Sequence, residues 1–288
     1  MESHPNIAII GGSGLDRMTG LQDTRELMID TPFGKPSSPI NVGSLDGQTV
    51  AFLSRHGTGH HLSPSEVPYR ANIYALKSLG VQRIVSISAC GSLREDFVPG
   101  DIVIPDQIMD FTRDRKRTFF EDGIVAHVSV AEPFCPELSE LVYQAVKATG
   151  NKVHHSGALI TIEGPRFSTR AESNTFRSWG MSVINMSSAP EAFLAREAEI
   201  CYSVMNHVTD YDVWHTSEEP VTVEMVIEIL NRNTEIAQQA IRNLIQGLPA
   251  QSNCKCIDSL SDAIITQPGA IPPETRQRLH ILLDKYLS

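Results

Sequence analysis

The chain has 288 residues, of which 41% are hydrophobic and 20% charged, values that are ordinary for a globular protein with a well-buried core. Its formal net charge is -10 and no long stretch is dominated by lysine and arginine, so most of the surface would repel a polyanion such as nucleic acid. No run approaches the roughly eighteen apolar residues of a membrane span, and the start MESHPNIAII lacks a secretory signal, so a cytoplasmic location is expected.

Apolar runs that alternate with helical patterns predict an α/β fold. Strands are predicted over 7–10, 50–53 and 83–89. Between the last two, YRANIYALKSLG carries apolar residues at helical spacing and stops at Gly80, a common signal for the end of a helix. The expected architecture is a single domain with a mixed, largely parallel central sheet flanked by helices.

The alternation continues through the second half of the chain. Pro136 stands at a first helical position in CPELSELVYQAVKATG, and an apolar run over 158–162 follows that helix. Thr169 and Glu172 form a capping-box pattern for a short helix, after which MSVINM is predicted to be a strand. PEAFLAREAE is predicted to be a helix, ICYSVMNHVTD a strand, and the segment after Thr222 a long amphipathic helix.

The last part of the chain differs in composition. From Pro249 to Pro273 it is polar and proline-rich, and PPETRQRLHILLDKYL then predicts an amphipathic helix. We therefore divide the chain into a main domain over 1–250 and a C-terminal extension over 251–288. The helix of this extension is expected to pack on the same domain or on a neighbouring subunit.

The five cysteines indicate neither a disulfide framework nor a metal site. Their number is odd, and no CxxC repeat or HExxH motif appears, so no bound metal is predicted. Cys90, Cys135 and Cys201 are expected to be small core residues in a reducing compartment. Cys254 and Cys256, in NCKC, can form a strained disulfide, but two unpaired thiols on a surface loop are the commoner arrangement.

Three unusual runs fall at the carboxyl ends of predicted strands, where open α/β sheets bind ligands. GGSGL contains Ser13, SRHGTGHH contains Arg55 and His56, and SACGSL contains Ser88 and Ala89. An arginine fork that can hold two oxygens, a histidine donor, hydroxyl groups and close-approaching backbone amides predict a cradle for a small oxyanion. Each run also has a simpler explanation when taken singly: GGSGL can be a tight turn, the histidine of SRHGTGHH a structural residue, and SACGSL a turn of small residues. None of the runs is a dinucleotide-binding or Walker motif.

A fourth run, TDYDVW, places two carboxylates after a long apolar strand. Asp210 and Asp212 are two residues apart, so on an extended segment their side chains face the same way and can meet one ligand. Exposed turn aspartates are the commoner meaning of such a pair, but two acids are costly to bury without a purpose. A partly buried aspartate beside another carboxylate can have a raised pKa and so hold a proton.

Together these residues resemble the purine nucleoside phosphorylase superfamily, and within it the 5'-methylthioadenosine phosphorylases. The resemblance extends over nearly the whole chain, through GGSGL, TPFGKPS, RHGTGH, YRANIYALKSLG, SACGSL, GDIVIPDQ, AEPFC, TIEGPRFSTRAE, INMSSAPE and TDYDVW. It implies a purine nucleoside phosphorylase-like fold and phosphorolysis of 5'-methylthioadenosine to adenine and 5-methylthioribose 1-phosphate. It implies no cofactor, since inorganic phosphate is a co-substrate. The expected assembly is a homotrimer or homohexamer. The expected partners are nucleoside and phosphate, with neither nucleic acid nor membrane.

The resemblance also implies roles for individual residues. The catalytic residues are Asp210 and Asp212, which also bind the purine edge. The phosphate-binding residues are Ser13, Arg55, His56, Ser88, Ala89 and Ser187. The other substrate-binding residues are Phe167 near the base, Met186 at the ribose, and His127, which resembles a residue that a neighbouring subunit contributes. Specificity is assigned to Ser168 and Val223.

The aspartate pair also bears on the choice of base. A carboxylate accepts a hydrogen bond from the 6-amino group of adenine but conflicts with a 6-oxo group, so adenine is favoured over hypoxanthine or guanine. Ser168 stands where the resemblance leads one to expect glutamate in 6-oxopurine enzymes. A broader purine nucleoside phosphorylase acting on adenosine, inosine or methylthioinosine is the alternative within the family.

Two functions outside the family compete with this interpretation. The RHG triplet also occurs in histidine phosphatases, but there it usually lies close to the first strand, and such a function leaves TDYDVW and GGSGL without a role. A non-enzymatic nucleoside-binding protein can use the same pocket. The aspartate pair argues against it, because binding alone needs no proton donor.

Overall fold

One mixed sheet of eleven strands runs through the part of the chain that the structure describes. The computed structural model describes residues 4–12, 15, 18, 20–215, 223–250, 252 and 254–287, with only the backbone given over 224–232. The strands are β1 Ile7–Gly11, β2 Gln22–Leu27, β3 Ile40–Leu45, β4 Gln48–Ser54, β5 Arg83–Ser92, β6 Ile102–Ile104, β7 Gln107–Phe111, β8 Val153–His155, β9 Ala158–Ile162, β10 Val183–Asn185 and β11 Cys201–Asp210.

The helices alternate with these strands along the chain. They are α1 Tyr69–Ser78, α2 Pro136–Lys147, α3 Arg170–Ser178, α4 Ser188–Glu197, α5 Val223–Gly247, α6 Pro273–Arg278 and α7 His280–Leu283. No helix within the described ranges combines the length and the apolar character that a membrane crossing requires.

The pairing of the strands is mixed but mainly parallel at the centre. The order is β2-β3-β4-β1-β5-β10-β9-β7, and β11 joins this path by pairing with β5, with β6 and β8 beyond it. β1 is parallel to β4 and β5, and β11 is parallel to β5, whereas β2, β3 and β4 form antiparallel pairs. The predicted sheet is therefore confirmed, and its central strands are buried on both faces, which explains their unbroken apolar runs.

Two apolar layers cover the faces of the sheet. Ala8 and Ile10 of β1 belong to one core cluster together with residues of α1 and α4, whereas Ile7 and Ile9 belong to another with residues of α2 and α5. This division follows from the alternation of side chains along a strand. The carboxyl ends of the central strands stay open between the two layers, and there the loops from β1, β4, β5 and β11 meet.

The C-terminal extension packs against the same chain. Leu260, Ile271 and Leu279 lie in the core cluster that contains α1, and Tyr74 Oη donates to the Arg278 carbonyl at 2.9 Å. The prediction of one continuous helix is wrong, because Leu279 leaves the helical conformation, with φ -103° and ψ 12°, and separates α6 from α7. Leu279 is fully buried, so the break belongs to the way this segment packs into the core. A contact with a neighbouring subunit stays a prediction.

The cysteines are unpaired, as the sequence led us to expect. One of them, Cys256, does not lie where the sequence predicted. Cys90, Cys135 and Cys201 are buried, which confirms their assignment to the core. Cys254 is half-buried, whereas Cys256 is only 2% exposed and lies in the core cluster with α2 and α5. A surface loop is therefore the wrong description for Cys256, since a short 3-10 turn over Lys255–Asp258 carries its side chain inward.

The predicted capping box at the start of α3 is present and can be tested. Thr169 Oγ1 accepts from Glu172 N at 3.1 Å, and a Glu172 carboxylate oxygen accepts from Thr169 N at 2.7 Å. Thr169→Ala removes the first bond, so we expect a free energy of unfolding lower by about 1 kcal/mol, measured by urea denaturation. The control is Thr175→Ala, whose hydroxyl donates to the Ala171 carbonyl within the same helix. Equal losses in the two variants would contradict a specific capping effect.

Candidate active site

Most of the predicted site residues line one cavity of about 680 Å³ at the carboxyl ends of the central strands. These residues are Arg55, His56, Ser88, Ala89, Phe167, Ser168, Met186, Ser187, Asp210, Asp212 and Val223. Ser13 lies outside the described residues. His127 does not line the cavity: it is exposed, and its backbone N–H donates to the Ala263 carbonyl at 2.8 Å. Its role near the site of a neighbouring subunit stays a prediction.

Arg55 follows β4, and its guanidinium is held mainly by other protein groups. Nε and Nη2 donate to the two carboxylate oxygens of Glu191 at 2.9 and 3.0 Å. Nη2 also donates to Ser86 Oγ at 2.6 Å, and Nη1 to the Ile87 carbonyl at 3.1 Å. The predicted two-oxygen grip on an anion is therefore wrong, because the fork holds Glu191. Among the described residues, one N–H of Nη1 has no acceptor, and this group can still donate to a ligand.

Glu191 makes the buried charge of Arg55 possible. Its side chain in α4 is fully buried, and Tyr202 Oη donates to it at 2.9 Å. Burial by itself would lower the pKa of Arg55, but the Glu191 carboxylate raises that pKa above its ordinary value, so the guanidinium stays charged. Sequence reasoning missed Glu191, which is 136 residues from its partner. The only available signal was the glutamate within the motif INMSSAPE.

The hydrogen bonding of His56 determines what its ring can offer a ligand. Nδ1 is 2.9 Å from the Leu62 carbonyl, and since a carbonyl only accepts, Nδ1 must carry the proton. Burial and the neighbouring Arg55 lower the pKa of His56 to about 4, so the ring is neutral at pH 7. Nε2 is then an acceptor, not the donor that the sequence led us to expect. The ring of His60 stacks on that of His56 with centroids 4.5 Å apart.

Two serine hydroxyls from distant parts of the chain meet in the same cavity. Ser88 Oγ, on β5, and Ser187 Oγ, just before α4, are 2.9 Å apart. Asn185 lies beside them and donates to Ser188 Oγ at 2.7 Å, so its amide helps to hold the turn that carries Ser187. Ser88 Oγ donates to the Ala89 carbonyl at 3.0 Å, so its hydroxyl must rotate before it can donate to a ligand. With that rotation, the two hydroxyls and one N–H of Arg55 provide donors of the kind that bind a small oxyanion.

The two aspartates line the opposite wall of the cavity. A turn brings Asp212 there, and not the alternation of side chains along a strand. β11 ends at Asp210, and Asp212 has a left-handed backbone with φ 52°. Asp210 accepts from Thr209 Oγ1 at 2.5 Å and from Asp212 N at 2.7 Å. Burial raises the pKa of both carboxyls, that of Asp210 to about 6. The expectation that both lie on one extended segment is wrong, but the carboxyls still line one cavity.

Gly91 of SACGSL makes room for these carboxyls. A Cβ atom at Gly91 would lie 2.9 Å from Asp210 Oδ1 and 3.2 Å from Asp212 Cβ, so a larger residue would displace the pair. Beside it, Asp212 Oδ2 and Ser168 Oγ are buried without a hydrogen-bond partner among the described residues. Such atoms carry an energetic cost unless a ligand or water satisfies them.

Sequence reasoning missed several polar residues of the cavity wall. They are His60, Asn185, His207, Thr209, Asn233 and Thr234. His207 is 1% exposed, and neither ring nitrogen has a partner among the described residues. Burial lowers its pKa to about 4, so the ring is neutral. His207 lies inside an apolar strand with no motif around it, and only its position next to the cavity singles it out.

Known proteins resemble this chain over nearly its whole length. Residues 6–246 match the model of a family described as the phosphorylase superfamily. The chain is 52% identical to an S-methyl-5'-thioadenosine phosphorylase from Geobacter sulfurreducens, across 98% of this chain and 99% of that protein. It also resembles the crystal structure of a methylthioadenosine phosphorylase from an antarctic soil metagenomic library, with TM-score 0.94, 48% identity and coverage of 98% and 100%.

A more distant structure carries a ligand. It is a mutant of the adenosine/methylthioadenosine phosphorylase from Schistosoma mansoni, crystallised in complex with methylthioadenosine. The TM-score is 0.79 and the identity 37%, across 86% of this chain and 93% of that one.

The raised pKa of Asp210 predicts how stability depends on pH. Burial moves this pKa from 3.8 to about 6, so the folded chain holds the proton more tightly than the unfolded chain. The resulting stabilisation is fully present below pH 3.8 and is lost as the pH rises through about 6. We expect a loss of up to about 3 kcal/mol from this group, and a correspondingly smaller loss in Asp210→Asn.

Urea unfolding at several pH values across this window measures the difference. Asp262→Asn is the matched control, since Asp262 is exposed and does not line the cavity. Parallel pH profiles for Asp210→Asn and the native chain would show that Asp210 does not carry this coupling.

Proposed function

The chain belongs to the phosphorylase superfamily, and we propose that it catalyses phosphorolysis of S-methyl-5'-thioadenosine to adenine and 5-methylthioribose 1-phosphate. One observation carries the proposal: hydroxyl, imidazole and guanidinium groups line the same cavity as two buried carboxyls. The reaction needs both sets, because an anionic nucleophile enters as a heterocyclic base departs. Relatives at about half identity and nearly full length carry this activity in their names.

The phosphate enters from the serine side of the cavity. One of its oxygens attacks C1' of the ribose as the bond from C1' to N9 breaks, and the electron pair of that bond moves to the base. Ser88, Ser187 and the remaining N–H of Arg55 donate to phosphate oxygens. The neutral ring of His56 accepts from a P–OH group, which phosphate carries at neutral pH. These groups hold the nucleophile against the developing positive charge of the sugar.

The base departs toward the aspartate side. Asp210 in its protonated form donates to N7, so that adenine leaves as a neutral molecule, and the carboxylate later regains a proton from water. Its pKa of about 6 is close enough to neutral pH for this exchange. Asp212 Oδ2, which lacks a protein partner among the described residues, accepts from the 6-amino group.

The aspartate wall of the cavity also favours an adenine nucleoside as substrate. A 6-oxo group would meet Asp212 as a second acceptor, whereas adenine supplies a donor. Leu15, Val223 and Ala237 add apolar surface to the cavity, which suits a methylthio group better than a 5'-hydroxyl. A broader activity on adenosine, inosine or methylthioinosine is the alternative, and a comparison of their rates with that of methylthioadenosine discriminates between the two.

The remaining expectations complete the proposal. Phe167 packs near the base, Met186 contacts the ribose, and Ser13 and Ala89 add to the phosphate site. His127 reaches the 5'-thio pocket of a neighbouring subunit in a homotrimer or homohexamer. The enzyme needs no cofactor, works in the cytoplasm and serves purine and methionine salvage. Phe167, Met186 and Ala89 all line the cavity, which supports their part of this assignment.

Release of adenine tests the reaction and the acid role of Asp210 together. Purified protein should release adenine from methylthioadenosine only when phosphate is present, as followed by liquid chromatography. Asp210→Asn should lower kcat by about a hundredfold or more, because the amide cannot donate the proton as a carboxylic acid does. Binding without release would favour a nucleoside-binding protein, and loss of a phosphomonoester would favour a phosphatase. Unchanged kcat in the variant would contradict the acid role.

Ser187→Ala tests the phosphate wall. Loss of one hydrogen bond to a charged ligand should raise the KM for phosphate roughly tenfold or more, with a smaller change in the KM for nucleoside. The control is Ser139→Ala, because Ser139 and Ser203 form a similar buried pair at 2.9 Å that does not line the cavity. A larger effect on nucleoside than on phosphate would remove Ser187 from the anion site.

A further inference from the structure

Four of the five cysteines meet outside the active-site cavity. The Sγ atoms of Cys135, Cys201, Cys254 and Cys256 all lie within 4.8 Å of one another, and none of these residues lines the cavity. Cys135 precedes α2, Cys201 begins β11, and the other two belong to the C-terminal extension. All four are free thiols, and the Cys201 and Cys254 sulfurs are 2.7 Å apart, farther than the roughly 2.05 Å of a disulfide bond.

The surrounding backbone holds the thiols in place. Cys135 N donates to the Tyr202 carbonyl at 2.8 Å, and Cys201 N donates to the Gln82 carbonyl at 2.9 Å. Cys256 packs in the same apolar cluster as Cys135 and Cys201. Because a thiol is a weak donor and a weak acceptor, four thiols in such close contact gain little from one another. Their convergence calls for a ligand that several sulfurs can share.

Nearby groups are of the kind that stabilise bound thiolates. Leu138 N, in the first turn of α2, donates to Cys135 Sγ at 3.5 Å, and the positive end of the helix dipole lies at the same place. Ser252 Oγ is 3.7 Å from Cys201 Sγ and donates to Glu137 Oε1 at 3.3 Å, so it can donate to a thiolate only after its hydroxyl rotates. Hydrogen bonds of this type orient the ligands of a metal and balance their charge.

We propose that these four cysteines form a zinc site that fastens the C-terminal extension to the core. A tetrahedral ion with Zn–S bonds of about 2.3 Å places its sulfurs about 3.8 Å apart, which the span of the cluster allows. The Cys201 and Cys254 sulfurs separate by about 1 Å on binding. Four thiols become thiolates and release four protons to water, and no electrons are transferred.

The ligand chemistry favours zinc over other biological cations. Four thiolates select soft or borderline ions in tetrahedral geometry and exclude magnesium and calcium, which require oxygen ligands. Two disulfides are the competing state of the same residues, but they require an oxidant and leave no ligand for a metal. Zinc binds to reduced thiols and therefore suits a reducing compartment.

The position of the site gives it a structural role. Cys254 and Cys256 begin the extension that later places Leu260 and Leu279 in the core, so an ion shared with Cys135 and Cys201 ties the beginning of that segment to the main domain. The active-site cavity has none of these ligands in its lining. Loss of the ion should therefore loosen the extension without removing a group that touches substrate.

Metal content of the full-length protein tests the proposal. Protein purified under reducing conditions without added metal should contain about one zinc per chain, as measured by inductively coupled plasma mass spectrometry. The variants Cys254→Ser and Cys256→Ser should each lose most of this zinc. Cys90→Ser is the matched control and should keep the zinc, since Cys90 is the one cysteine outside the cluster. Cobalt added to zinc-free protein should give the absorption of tetrahedral thiolate coordination, and removal of zinc should lower the thermal midpoint.

Three results would overturn the assignment. The first is a reduced protein that contains no zinc and binds none when zinc is added. The second is an intact mass lower by four hydrogens, which would show two disulfides. The third is zinc retained by both serine variants. Release of adenine by zinc-free protein at moderate temperature is expected to persist. The zinc proposal and the proposed reaction can therefore fail separately.

Discussion

The parallel pairing of β5 with β11 determines where the Ser88 side of the site lies relative to the Asp210 side. Ser88 pairs with Asn206 and Ala89 with His207, and after a shift in the ladder Asp210 lies opposite Gly91. The strand that carries Ser88 is thus the neighbour of the strand that carries Asp210. A slip of one residue would turn each side chain to the other face of the sheet. The absence of a side chain at Gly91 then lets the aspartate pair approach β5 closely.

The charges of the site are balanced before any ligand binds. Arg55, the buried cation of this wall, is already paired with Glu191, so the proposed phosphate site offers hydroxyls, a neutral imidazole and a single guanidinium N–H in place of a free arginine fork. On the opposite wall, burial favours the protonated form of Asp210. The raised pKa costs stability at neutral pH, and it suits the acid role proposed for Asp210. Both features follow from desolvation, which penalises an unpaired charge.

Stability of the extension and chemistry of the cavity are carried by different residues. Leu260, Ile271 and Leu279 join the core on the α1 side of the sheet, whereas the four-cysteine cluster adjoins the layer formed by α2 and α5. The cavity opens between these two layers and contains none of the cluster cysteines. Changes in the extension can therefore alter the stability of the chain while the groups that face the substrate keep their positions.

The sequence by itself determined the local features of the fold and the sites of the chemistry. Apolar runs predicted β1, β4, β5 and β11, and Thr169 with Glu172 predicted the capping box, because periodicity and caps depend on residues close together in the chain. The motifs at strand ends identified six residues of the cavity wall, and the family resemblance added five more. Their spacing could not show that the Asp212 carboxyl reaches the cavity from a turn.

Only the tertiary structure decided which distant groups become partners. It paired Arg55 with Glu191, directed Nδ1 of His56 to a carbonyl, and brought Cys135 to Cys256. Each outcome depends on the order of strands and on how the extension packs, and no local pattern encodes either. A side chain's charge, tautomer and ligands are set by its neighbours in space, and folding brings those neighbours from parts of the chain that share no local signal.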